Sequence, residues 1–138
     1  MALTDEVYAE IREEVARALA AQKHVAGQVS VGVAAAFRAT ERNQDIFAIV
    51  HPRAGGAEIR RESERLFESY YDLVAEAIRA GQERGEIPAD IAPDLVARLV
   101  VDLIDSAAYA CYVLGDKGSV EAYQAEVTRF IQRGLGAG

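Results

Sequence analysis

A single cysteine, two histidines and no apolar run of membrane length put several protein classes out of reach of this 138-residue chain. With Cys111 alone, no intrachain disulfide can form, and a reducing cytoplasm suits such a chain. No uninterrupted apolar stretch reaches the ~18 residues of a membrane span, and the acidic opening MALTDEVYAE is unlike a signal peptide. Positive charge is also scarce: Lys and Arg number 15 against 22 Asp and Glu, a net charge of −7. A domain this acidic has no overall attraction for phosphate backbones, so nucleic-acid binding by this chain alone is not expected. His24 and His51 lie far apart, and neither opens an H-x-x-x-H or H-E-x-x-H pattern, so no metal is expected. The stretches GEIPAD and RAGGAE lack the lysine and the glycine spacing of a phosphate-cradling loop, and no nucleotide cofactor is indicated.

What the chain does have is helical periodicity on a 51% hydrophobic composition, enough for one packed domain over residues 1–138. Leu3, Val7, Ile11, Val15 and Leu19 recur at every fourth position, which predicts a helix to about Gln22 behind an acidic, capped turn at Thr4-Asp5-Glu6. The stretch HVAGQVSVGVAAAF is ambiguous. Val29, Val31 and Val33 alternate like a strand, while Val25, Val29, Val33 and Phe37 fit a helix equally well. Helix is favoured because no second convincing strand exists to satisfy the backbone of a first.

NQDIFAIVHP reads as a short helix capped by Asn43 and stopped by Pro52, followed by a flexible RAGGAE turn. Residues 57–84 form a long amphipathic helix with Ile59, Leu66, Phe67, Tyr70, Leu73, Val74, Ala77 and Ile78 on one stripe. Gly85 supplies its left-handed stop. Pro93 suits the first position of a further helix ending at Gly115, and Ser119 caps a last one. On that last helix Val120, Tyr123, Val127, Phe130 and Ile131 share a face. Six helices without a sheet give an all-α bundle.

The run RLVVDLIDSAAYACYVLG, residues 98–115, is apolar nearly all round yet holds Asp102 and Asp105. At i, i+3 the two carboxylates share a helix face, as an acid/base pair would require. They also share a narrow stripe with Arg98, Tyr109 and Tyr112, and Arg98 is within reach of Asp102 for an ordinary intrahelical ion pair. A polar stripe facing solvent, a seam or a cavity is the simpler reading, with Asp105 or Tyr109 as possible ligand contacts. No enzymatic activity is expected, and Cys111 reads as a core residue. The aromatic side chains Phe37, Phe47, Phe67, Tyr70, Tyr71, Tyr109 and Tyr112 suit either core packing or the lining of an apolar pocket.

The stretch LVAEAIRAGQERGEIPADIAPDLVARLVVDLIDS resembles the C-terminal regulatory domain of TetR-family transcriptional repressors. The resemblance rests on the turn Gly85-Glu86-Ile87, the helix start Pro93-Asp94-Leu95, the short helix ERNQDIFAIV and the closing FIQRGLGAG. Ala92 departs from the pattern, where such proteins often carry an Asp cap, and Asp90 is a candidate substitute. In that family a three-helix DNA-binding segment comes first. The resemblance implies that MALTDEV begins the helix just after it, so that this chain lacks its DNA-reading head.

The resemblance further implies a cytoplasmic homodimer, the two last helices of each subunit (residues 93–134) forming a four-helix bundle with their copies. Its contacts would centre on Leu103, Ala107, Ala110 and Leu114 with Val120, Tyr123, Val127, Phe130 and Ile131. The earlier helices would enclose a small, largely apolar effector, with Phe37, Phe47, His51, Phe67, Tyr70, Tyr71, Asp105 and Tyr109 as candidate lining. The alternative is a stand-alone all-α protein that binds a small hydrophobe or heterodimerises without touching DNA.

Overall fold

Local chemistry sets most of the helix ends. The computed structural model describes residues 2–50, 57–115 and 119–137, and among them are six helices and no strand. They are α1 (Ala2–Ala20), α2 (Val25–Arg42), α3 (Gln44–Val50), α4 (Ala57–Glu83), α5 (Pro93–Tyr112) and α6 (Val120–Gly134). The all-α fold inferred from periodicity is the observed one. His51, Pro52 and residues 53–56 of the RAGGAE stretch lie outside the described residues, as do the side chains of Leu3, Ile59 and Leu66, while Ala57 and Glu58 already belong to α4.

The ambiguous valine-rich segment is helix throughout. Val25, Val33 and Phe37 are buried on one face of α2, whereas Val31 is half-exposed, so the 3.6-residue period wins over alternation. Two N-terminal details differ from expectation. The first helix begins at Ala2, so Asp5 sits within its first turn and Thr4 is not its cap. Asn43 closes α2 from its C-cap position, its side-chain amide donating to the Ala39 carbonyl at 2.8 Å. The Asn43 carbonyl then accepts from Phe47 N at 3.1 Å as α3 begins.

The end of α4 is a Schellman turn. Gly85 takes φ +78°, Gly85 N donates to Gln82 O and Glu86 N to Gly81 O, at 3.0 and 2.9 Å. Glu86 then reaches across the fold, accepting from Val25 N at 2.8 Å. That contact caps α2, whose own N-cap residue His24 makes no side-chain cap bond. Pro93 opens α5, and Ala92 at its N-cap makes no side-chain cap bond. Ser119 accepts from Ala122 N and caps α6 as the sequence predicts.

The centre of the bundle is α2, packed against α1, α5 and α6, while α4 lies across α1 and α5. All six helices contribute buried or half-buried apolar side chains to one continuous core. No described helix is long and apolar enough to cross a membrane.

Candidate functional site

Small residues leave space where aliphatic helix faces meet. The second half of α1 contributes Val15 and Leu19, and the first half of α2 contributes Val25, Val29, Gly32 and Val33. From α4 come Tyr70, Val74, Ala77 and Ile78, from α5 Val100 and Ile104, and from the end of α6 Ile131 and Leu135. Together they surround an apolar pocket of about 60 Å³, with Ile87 closing one side and Gln28 supplying an amide. Gly32 and Ala77 are the smallest residues of the lining. A methyl group at Gly32 would already stand 3.3 Å from Leu19 Cδ2.

A second space of about 20 Å³ lies beside it, lined by Ile11, Ala36, Thr40, Phe67, Tyr70, Val101, Ile104 and Asp105. Tyr70 and Ile104 line both. Burial raises the Tyr70 phenol well above its ordinary pKa, and the charge of Asp105 adds to the shift. The phenol is therefore a neutral hydroxyl at any physiological pH.

The candidate lining residues sort into two groups. Phe67, Tyr70 and Asp105 meet at the smaller space. Phe37, Phe47, Tyr71 and Tyr109 are buried but line neither space. Phe67 is instead the hub of an aromatic cluster. Its ring lies 4.8 Å from Tyr8, 5.9 Å from Tyr71 and 6.4 Å from Tyr70, and Tyr8 in turn touches Phe47 at 5.8 Å. Phe37 packs edge-on against Tyr112 at 6.2 Å. These rings spend their area on one another, which is core packing. His51 lies outside the described residues.

Most of the pocket lining escaped sequence reasoning because aliphatic residues at helical spacing look the same whether they meet a neighbour or a void. The usable signal was the small residues, Gly32 and Ala77, on otherwise bulky faces.

The two aspartates separate. Asp102 is exposed and accepts from the Tyr71 hydroxyl at 2.7 Å, while Arg98 lies over the Tyr71 ring, 4.4 Å from its centroid. Tyr71 of α4 thus mediates between the two charges that an intrahelical ion pair would have joined directly. Asp105 is half-buried and faces the smaller space. Tyr109, placed by wheel geometry on the same stripe, is buried. Among the described residues no cluster of three His, Cys, Asp or Glu side chains could hold a metal ion.

The outer faces of the last two helices carry large apolar side chains in water. Leu95 and Leu99 of α5 are each 67% exposed, Leu114 just beyond α5 is exposed, and Phe130 of α6 is 72% exposed. Leu103, Ala110, Val120 and Tyr123 are half-buried. Ala107, Val127 and Ile131 are covered by the chain's own helices, so the α6 residues expected to share one face divide between core and surface.

An all-helical domain with an apolar pocket among its helices and an apolar strip on its last two is the form of a regulatory ligand-binding and dimerisation domain. The chain belongs to the tetracyclin repressor-like, C-terminal domain family, which it matches over residues 29–135. No curated protein matches the chain.

Proposed function

We propose that this chain is the small-molecule-sensing, homodimerising regulatory domain of a TetR-like repressor that works in the cytoplasm, with DNA contacts supplied from outside these 138 residues. The observation that carries the reading is the position of α5. Val100 and Ile104 border the pocket, whereas Leu95 and Leu99, on the opposite side of the same helix, stand in solvent. A rigid helix with a ligand space on one side and an association surface on the other couples the two. Occupancy that shifts α5 changes the geometry of the paired subunits, provided the ligand prefers one arrangement over the other.

The association surface comprises Leu95, Leu99, Leu103, Ala110 and Leu114 with Val120, Tyr123 and Phe130 (Leu95 and Leu99 are additions to the sequence-based set). Ala107, Val127 and Ile131 act from behind, by holding that surface in shape. Sedimentation equilibrium tests the dimer: a concentration-independent monomer at micromolar concentration overturns it. A thermal-shift panel of small apolar compounds, benzene and cyclohexane among them, tests the sensor, since a ligand of the folded state raises the melting temperature. A chain that dimerises and binds such compounds, but whose encoding frame has no helix-turn-helix partner, would be the stand-alone binding protein instead.

A further inference from the structure

Two opposite charges flank Phe130 on the outer stripe of α6. Glu126 precedes it by four residues and Arg133 follows it by three, a spacing that puts all three on one helix face, and all three are exposed. Together with Arg129 and Gly134 they line one surface cleft of about 450 Å³. The Glu126 side chain is 73% exposed and meets Arg129 through Oε1, which leaves Oε2 open to a second donor. The Arg133 guanidinium has no ion-pair or hydrogen-bond partner among the described residues. Glu126 and Arg133 of one helix cannot meet, because seven residues separate them by roughly 10 Å along the axis.

The same spacing is self-complementary in a second copy. A two-fold axis that matches residue i of one subunit to residue j of the other also matches j to i. Midway between positions 126 and 133 lie Arg129 and Phe130. With two α6 helices antiparallel and the axis at that midpoint, Glu126 faces the partner subunit's Arg133, and Arg133 faces the partner subunit's Glu126. Parallel helices would set like charges against each other instead. The end of α6 also abuts the turn that leads into α5, where a Cβ at Gly136 would stand 3.0 Å from Pro88 Cδ. Phe130 therefore stands toward the same end of the bundle as the exposed Leu95 and Leu99. An axis beside Phe130 centres the contact on that apolar area and leaves the charges at its rim.

Resting on the dimer reading above, we propose that α6 pairs antiparallel with α6 of a second copy about Phe130, and that two symmetric Glu126–Arg133 ion pairs set the register and select this chain as its own partner. Rim charges of this kind contribute more to orientation and partner choice than to affinity.

Sedimentation equilibrium of Glu126→Arg, Arg133→Glu and the double variant tests this, with circular dichroism to check that these exposed substitutions leave the helices intact. Each single reversal sets like charges face to face at two symmetric positions and is expected to weaken the dimer about tenfold. The double variant restores both pairs and dimerises like the wild type. In an equimolar mixture of the two single variants, one chain carries two arginines and the other two glutamates, so heterodimers form in preference to either homodimer. Native mass spectrometry separates the three species. Raising the salt concentration narrows all of these differences. Single variants that dimerise as tightly as the wild type, a double variant no tighter than the singles, or a mixture without heterodimer excess overturns the proposal and leaves the dimer reading standing. A wild-type chain that stays monomeric overturns both.

Discussion

The Tyr71 hydroxyl donates a 2.7 Å hydrogen bond to Asp102 Oδ1 and so ties the long central helix to the helix that borders both pocket and solvent. Tyr71 is itself buried, with the Arg98 guanidinium over its ring, so one aromatic side chain gathers two charges of α5 onto α4. Replacing it by Phe keeps the ring packing and removes only the polar link. Tyr71→Phe is expected to cost about 1 kcal/mol, below the usual range for a bond to a charged group because Asp102 is exposed. Chemical denaturation of Tyr71→Phe, Asp102→Ala and the double variant would measure it, and fully additive losses would contradict the link.

At alkaline pH the same geometry makes a second prediction. Burial raises the Tyr71 phenol first, and the Asp102 bond adds to the shift, while burial also raises Tyr70. The folded chain thus keeps protons that the unfolded chain releases above about pH 10. Stability from these groups is complete below that pH and declines as pH rises through it. Ultraviolet titration should place Tyr70, Tyr71 and Tyr112, the last also raised chiefly by burial, among the late-ionising phenols, and Asp102→Asn should advance Tyr71.

In acid the relevant group is Glu86. Bonds from Arg84, from Val25 N and from His24 lower its carboxyl pKa to about 2. The lowered value means that its contribution is present above about pH 4.5, the ordinary carboxyl range, and is lost as pH falls from there toward 2. Glu86→Gln should lower the melting temperature at neutral pH and flatten the acid limb of a stability–pH curve. An unchanged acid limb would mean that the charge of Glu86 contributes nothing to stability.

Gly81 and Gly85 should respond to alanine for different reasons. A Cβ at Gly81 would stand 2.6 Å from Ile87 Cδ1 and 3.0 Å from Val25 Cγ2, which outweighs the gain of about 1 kcal/mol in helix propensity. Gly81→Ala is expected to be destabilising, and adding Ile87→Val should recover part of the loss by removing the clashing carbon. A Cβ at Gly85 meets nothing within 4 Å, yet φ is +78°, so Gly85→Ala should cost about 1 kcal/mol with no rescue from a neighbour.

Neighbouring positions on α6 should separate assembly from folding. Ile131 is buried, and Ile131→Ala should cost about 2–5 kcal/mol of stability. Phe130 is 72% exposed, so Phe130→Glu should leave helix content intact while driving sedimentation toward monomer. A dimer that survives both Phe130→Glu and Leu99→Glu would place the association surface elsewhere.

Local chemistry alone determined the six helices. Gly85, Pro93 and Ser119 act through neighbours a few residues away, and amphipathic spacing follows from the 3.6-residue turn, so a linear reading reaches them. The division of labour among faces did not follow from spacing. Tyr109 and Asp102 share a wheel stripe, yet one is buried and the other exposed. Phe130 and Ile131 are adjacent in sequence and lie on opposite sides of the protein's own surface. Phe37, Phe47, Tyr71 and Tyr109 fill the core while aliphatic side chains and Tyr70 line the larger pocket, since a void arises where small side chains on different helices coincide. Which residues coincide, and which carboxylate finds Tyr71 or Val25 N, depends on how helices distant in sequence cross. Only the packed tertiary structure decides that.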